Sequence, residues 1–169
     1  DIVLLDDETL FTKQEVDELK KRNLFQLKIN NPKVPIIAKL FGYLLGDGSI
    51  YFSRKKGFVC AYGLEEDLKE IENDFEKLGF SAGIYSRERR HRIPTRYGDV
   101  IFEAKNSELH VSSNALAKLF FALGYPQGTK TNTEYLVPNW IIKSPLWIKS
   151  LFLSGFFGAE LSKPRTHTK

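Results

Sequence analysis

Residues 36–48 read IIAKLFGYLLGDG, apolar almost throughout, with Gly42 and Gly46 four residues apart and an acid, Asp47, near the end. The pattern predicts a buried helix. Glycines one turn apart strip side chains from one face and let a partner backbone approach closely, at a propensity cost of about 1 kcal/mol each that packing must offset. The partner is predicted within the same chain. Residues 153–161, LSGFFGAEL, repeat the layout of residues 40–48, LFGYLLGDG, 113 positions further on: Gly155 answers Gly42, Ala159 answers Gly46 and Glu160 answers Asp47. The final Gly48 is replaced by Leu161.

A carboxylate at a helix C-terminus faces the negative end of the helix dipole and calls for a compensating cation. Two packed helices bring two such carboxylates together. A divalent cation resolves both costs, because hard cations take oxygen ligands and commonly one or two protein carboxylates plus phosphates. Asp47 and Glu160 are therefore expected to hold Mg²⁺ (or Mn²⁺).

The paired motifs resemble the LAGLIDADG homing endonuclease family, over residues 33–161. The phrase VPNWIIKSPLWIKSLFLSGFFGAE (137–160) is similar to the lead-in of the second motif in intein-borne and archaeal members. The resemblance implies an α+β fold: an αββαββα half-domain with an antiparallel four-stranded sheet, followed by a second motif helix. It implies Asp47 and Glu160 as catalytic metal ligands. Lys130, in Gly128-Thr-Lys130, matches a lysine near the metal in intein-type members and is implied as a third catalytic residue. The implied activity is Mg-dependent, site-specific cleavage of double-stranded DNA, a hydrolase reaction, here in an incomplete and inactive fragment. A non-cleaving DNA-binding regulator or RNA maturase on the same fold is the alternative. A self-splicing intein finds no support, since the chain begins with Asp1 and lacks a terminal His-Asn pair, though the chain suits the endonuclease insert of one.

The rest of the chain is read from its own patterns. Length, 169 residues, allows one main core. We expect an arm at 1–31, a first half-domain at 32–143, and a second motif helix with the start of another half at 144–169. In the arm, Thr12-Lys-Gln-Glu15 is a capping box opening a helix over 13–22. No recognition helix follows it, so the arm is expected to dock. Strands are expected at 49–54 and 58–63 around a Lys55-Lys56-Gly57 turn, a helix at 65–78 capped by Gly79, strands at 80–90 and 100–111 joined by a long basic loop, and a helix at 114–123. Ser144 is expected to cap the last helix, with Pro145 in its first position. The tail SKPRTHTK reads as the start of a further hairpin.

The formal charge is +4, and its clustering says more than its size. Period-two alternation places Tyr51 and Ser53 on one face of the first hairpin, with Arg54, Lys55 and Lys56 at its turn, and Tyr85, Arg87 and Arg89 on one face of the second, followed by Arg90, Arg92 and Arg96. Aromatics and arginines on a sheet face point to the major groove of duplex DNA. His91, His110 and His167 have no metal or triad spacing, and His110 reads as structural. The single Cys60 excludes an intramolecular disulfide and suits a core strand position. No run reaches membrane-span length, no signal peptide is evident, and a cytoplasmic location is expected. Self-association is expected if Phe156 or Phe157 is left uncovered. The absence of Met suggests a piece of a longer product.

Overall fold

The computed structural model describes residues 8–128, 130 and 134–160. The architecture is α+β, a four-stranded antiparallel sheet with several helices. The elements run α1 (Lys13–Lys21), α2 (Val34–Asp47), β1 (Gly48–Ser53), β2 (Lys56–Gly63), α3 (Glu65–Leu78), β3 (Gly83–Thr95), β4 (Gly98–Ser112), α4 (Asn114–Ala122), α5 (Asn139–Ile142) and α6 (Leu146–Glu160). The sheet order is β1-β2-β4-β3. No helix among the described residues is long and apolar enough to cross a membrane.

One face of the sheet is dry because its alternating residues are apolar. Ile50, Val59, Ala61, Leu109 and Val111 are all buried on that face, under α2, α3 and α4. Helix α3 spans its expected residues, and Gly79 closes it at φ 97°, a left-handed conformation that any other residue reaches only at a cost.

Helices α2 and α6 are held together by their missing side chains. A Cβ on Gly42 would strike the Phe152 carbonyl and come within 2.9 Å of the Phe156 nitrogen. A Cβ on Gly155 would strike the Lys39 carbonyl and come within 3.0 Å of the Tyr43 nitrogen. Residues 39 and 152, and 43 and 156, stand at the same offset of 113 as the glycines, so the two helices cross about a local two-fold.

The arm docks through α1. Thr12 Oγ1 accepts from the Glu15 amide at 3.4 Å, and Glu15 returns the bond to the Thr12 amide at 2.7 Å. Glu15 also meets Lys118 of α4 at 2.7 Å, and Ser113 donates to Glu18 at 3.1 Å. Burial pushes the Glu15 carboxyl up, but the Lys118 and Thr12 hydrogen bonds outweigh it and hold the group below its ordinary 4.5. A depressed folded pKa stabilises above the unfolded value, and that stability is lost as pH falls through the folded value. Glu15→Gln is expected to cost about 2 kcal/mol at pH 7. The cost should shrink as pH falls below 4.5, as chemical denaturation at neutral and acid pH will show.

Three expectations are corrected. The first hairpin turns at Arg54-Lys55, both at positive φ (48° and 66°), while Lys56 and Gly57 belong to β2. The expected basic loop is a β-ribbon: β3 and β4 stay paired from Gly83↔His110 out to Thr95↔Gly98, leaving only Arg96 and Tyr97 as the turn. Ser144 Oγ donates to the Ile141 carbonyl at 2.7 Å, finishing α5, and Pro145 stands one residue before α6, its carbonyl accepting from Ile148 at 3.0 Å. The expected further hairpin after Glu160 lies outside the described residues.

Candidate nucleic-acid interface

Strand register assigns the second face of the sheet. Tyr51 pairs with Phe58 and Phe58 with Ser112; Cys60 pairs with His110 and His110 with Gly83; Tyr62 pairs with Glu108 and Glu108 with Tyr85. Opposed residues share a face, so Tyr51, Ser53, Tyr62, Tyr85, Arg87, Arg89, Glu108 and His110 all lie on the side away from the helices. Tyr51, Tyr62 and Tyr85 are 42%, 40% and 56% exposed there. Cys60 is buried beneath this face, its thiol 4.0 Å from the Tyr51 hydroxyl and pushed up by burial. A sheet face with helices behind it and tyrosines and an arginine in front is a groove-sized, rigid platform.

The sequence-predicted cations divide by position. Arg54, Lys55 and Lys56 are exposed at the tip of the β1–β2 hairpin. Arg87 is exposed on the sheet face and has no hydrogen-bond or ion-pair partner among the described residues. Arg89 lies on the same face by register and Arg90 on the other. Arg92, also on the other face, is tied to Asp99 through its Nε at 2.6 Å and through Nη2, so its charge is partly spent. Arg96 is exposed in the far turn. Charge along the ribbon is thus interrupted rather than continuous.

The end of α2 is organised around Lys130. Its ammonium donates to the carbonyls of Leu44, Leu45 and Gly46 at 3.0, 3.0 and 2.9 Å, matching three donors to three of the carbonyls a helix end leaves unpaired. Tyr125 adds its hydroxyl, 3.0 Å from the Leu44 carbonyl and 3.2 Å from that of Gly48. Asp47 is half-buried just beyond. Burial, with the carboxylates of Asp47 and Asp67, pushes the neighbouring Tyr43 phenol up to about 12. The cation that this helix end calls for is thus supplied by the chain itself. Glu160 ends α6, and its side chain is outside the described ones. Among the described residues no group of three or more His, Cys, Asp or Glu side chains is gathered to hold a metal. Lys130→Met is expected to destabilise the chain by about 2 to 3 kcal/mol, since charged hydrogen bonds are the costly ones to lose. Thermal unfolding of the variant is the check.

No family model matches the chain. It is similar to the tRNA-splicing ligase RtcB of Pyrococcus furiosus, 42% identical over 147 residues, covering 87% of this chain and 15% of that protein. It is similar to the protein of the same name from Methanopyrus kandleri, 39% identical over 142 residues, covering 84% of this chain and 14% of that protein. It is also similar to the DNA-directed RNA polymerase subunit Rpo1N of Methanocaldococcus jannaschii, 36% identical over 152 residues, covering 89% and 11%. The chain therefore spans about a seventh of the ligases it matches.

These relatives correct the functional expectation. They are named tRNA-splicing ligases, so the assignment to LAGLIDADG homing endonucleases is set aside, together with its Mg-dependent DNA hydrolase activity, its intein-type context and the alternative of a DNA-binding regulator or RNA maturase. The physical reason is that the paired glycines specify how closely two helix backbones approach, and a packing device of that kind does not specify a reaction. What sequence reasoning missed on the sheet face is Glu108 and the orientation of His110. Their alternation with buried Leu109 and Val111 carried that signal.

Proposed function

We propose that the chain is a nucleic-acid-binding module of a larger protein, gripping duplex DNA with the free face of its sheet and with the β3–β4 ribbon. The observation that carries this reading is the register that gathers Tyr51, Ser53, Tyr85, Arg87 and Arg89 on one uncovered face. A two-stranded ribbon fits the major groove of B-form DNA, about 12 Å wide, whereas the deep, narrow major groove of A-form RNA excludes side chains. Arg54, Lys55, Lys56 and Arg96, at the two hairpin tips, suit phosphate contacts at the groove edges, and Arg90 and Arg92 suit the ribbon's other side. A second reading, a structured RNA such as tRNA, is favoured by the name of the ligase relatives.

Fluorescence anisotropy with labelled duplex DNA, duplex RNA and tRNA separates the two. The DNA reading expects a Kd of about 10⁻⁴ to 10⁻⁶ M on random duplex at physiological salt, with both RNAs weaker. Tighter binding to tRNA selects the second reading, and no binding to any of the three overturns both.

Mg²⁺ or Mn²⁺ at Asp47 and Glu160 remains part of the proposal only with nucleic-acid phosphate supplying further oxygens. Titration calorimetry of Mg²⁺ into the duplex complex should report a site that Asp47→Asn removes. We further propose that the chain pairs with a second copy through the outer side of α6, where Trp147, Leu153 and Phe157 are 52%, 43% and 47% exposed. Leu153→Glu should shift sedimentation from dimer to monomer. A parent chain that is monomeric at all concentrations contradicts the pairing.

A further inference from the structure

On the free face, at the junction of β2, β4 and β3, lies a pocket of about 520 Å³. Arg87, Glu108, Tyr85, His110 and Ser112 all line it. Its groups are held rather than loose. The Tyr85 ring stands edge-on to the His110 imidazole, centroids 5.4 Å apart, and His110 Nε2 is buried 3.6 Å from Glu108 Oε1, too far for a hydrogen bond. Glu108 is directly opposite Tyr85 in the ladder and Arg87 is two residues further along β3. Arg87 and Glu108 are therefore diagonal neighbours, about 7 to 8 Å apart at the backbone. They make no ion pair with each other among the described residues.

An unpaired guanidinium and a fixed carboxylate, side by side on one face, are complementary to the two partners of one base pair. In the major groove, guanine offers O6 and N7 as acceptors, which arginine bridges, and cytosine offers its N4 amino group as a donor, which a carboxylate accepts. We propose that this pocket is a specificity site for a single G·C pair. Arg87 reads the guanine, Glu108 reads the cytosine amino group, and Tyr85 and His110 fix the carboxylate's aim. The inference rests on the duplex-DNA reading above. It adds that the face discriminates sequence at a defined point and names the residues that do so. A carboxylate facing a duplex otherwise only repels phosphate, so its cost is offset only where it finds a base amino group.

The test is selection of bound sequences from a library of random duplexes by the purified chain, carried out in parallel for Glu108→Gln and Arg87→Ala, with affinity for unselected duplex and thermal unfolding measured for each. Glu108 is partly exposed, and the isosteric amide tests its chemistry without changing its shape. The parent is expected to enrich G·C at one position by roughly 5- to 150-fold. Glu108→Gln should lose cytosine there and gain tolerance of adenine, the partner a glutamine amide reads, while keeping or raising its affinity for unselected duplex. Arg87→Ala should lose the guanine. Duplex binding without any enriched G·C position, or with one that both variants retain, overturns the inference and leaves the duplex reading standing. No duplex binding by the folded parent overturns that reading, and the inference with it.

Discussion

Gly42→Leu is expected to destabilise the chain by about 3 kcal/mol or more, at or beyond the upper end of ordinary overpacking. The reason is that the obstacle is backbone. The first added carbon would lie against the Phe152 carbonyl and the Phe156 amide of α6, and neither can rotate aside as a side chain would. Relief requires α6 to back away, which strips contacts from Phe41, Phe152 and Phe156 along the crossing. For a chain of this size the loss corresponds to roughly 10 °C in Tm. Gly155→Leu, meeting the Lys39 carbonyl and the Tyr43 amide, should cost about the same. The pair is not expected to be additive, because each mutation already breaks the one interface they share. Calorimetry of both single variants and the double variant measures all three. A neutral Gly42→Leu would mean that the helices are not crossed at these glycines.

The second large effect is on binding. Arg87→Ala combined with Arg89→Ala is expected to weaken affinity for random duplex DNA by tenfold or more. Each lost phosphate contact should flatten the dependence of log Kd on log salt by about 0.9. Arg92→Ala should do less, because Arg92 is already paired with Asp99. Affinities at several salt concentrations give both quantities. Unchanged slopes in the double variant would mean that these arginines are merely solvated.

How far the sequence could be read follows from where burial writes a pattern. Helix α3 was legible to the residue, because Leu68, Ile71, Phe75 and Leu78 repeat at helical spacing and Gly79 stops the run. The inner halves of the strands were legible because one face is dry and forces alternation. The outer half of β3–β4 was not: from Arg87 to Val100 neither face meets the helix layer, no alternation is imposed, and a paired ribbon reads like a charged loop. The turn at Arg54-Lys55 lacks the glycine or asparagine that announces positive φ. Ser144 offered one hydroxyl to two neighbouring helices, and spacing does not say which takes it. The end of α2 shows the widest gap. Its need for a cation was legible in Asp47 and the helix dipole, but the ammonium that arrives from Lys130, more than eighty residues away, is a tertiary fact. The glycine pairs were likewise legible as packing, and the reaction inferred from them was not, because close helix contact places no constraint on chemistry.

Site-directed photo-cross-linking tests the central claim most directly. The chain has one cysteine, Cys60, which is buried, so Tyr85→Cys and Leu153→Cys each install one accessible thiol, on the sheet face and on the outer side of α6 respectively. Each variant is labelled with a short photoreactive group and irradiated with duplex DNA at moderate salt. Adducts from position 85, suppressed by raising the salt, with few or none from position 153, are the expected result. Adducts predominantly from position 153, or none from position 85 when binding is saturated, would contradict the assignment of the sheet face as the nucleic-acid surface.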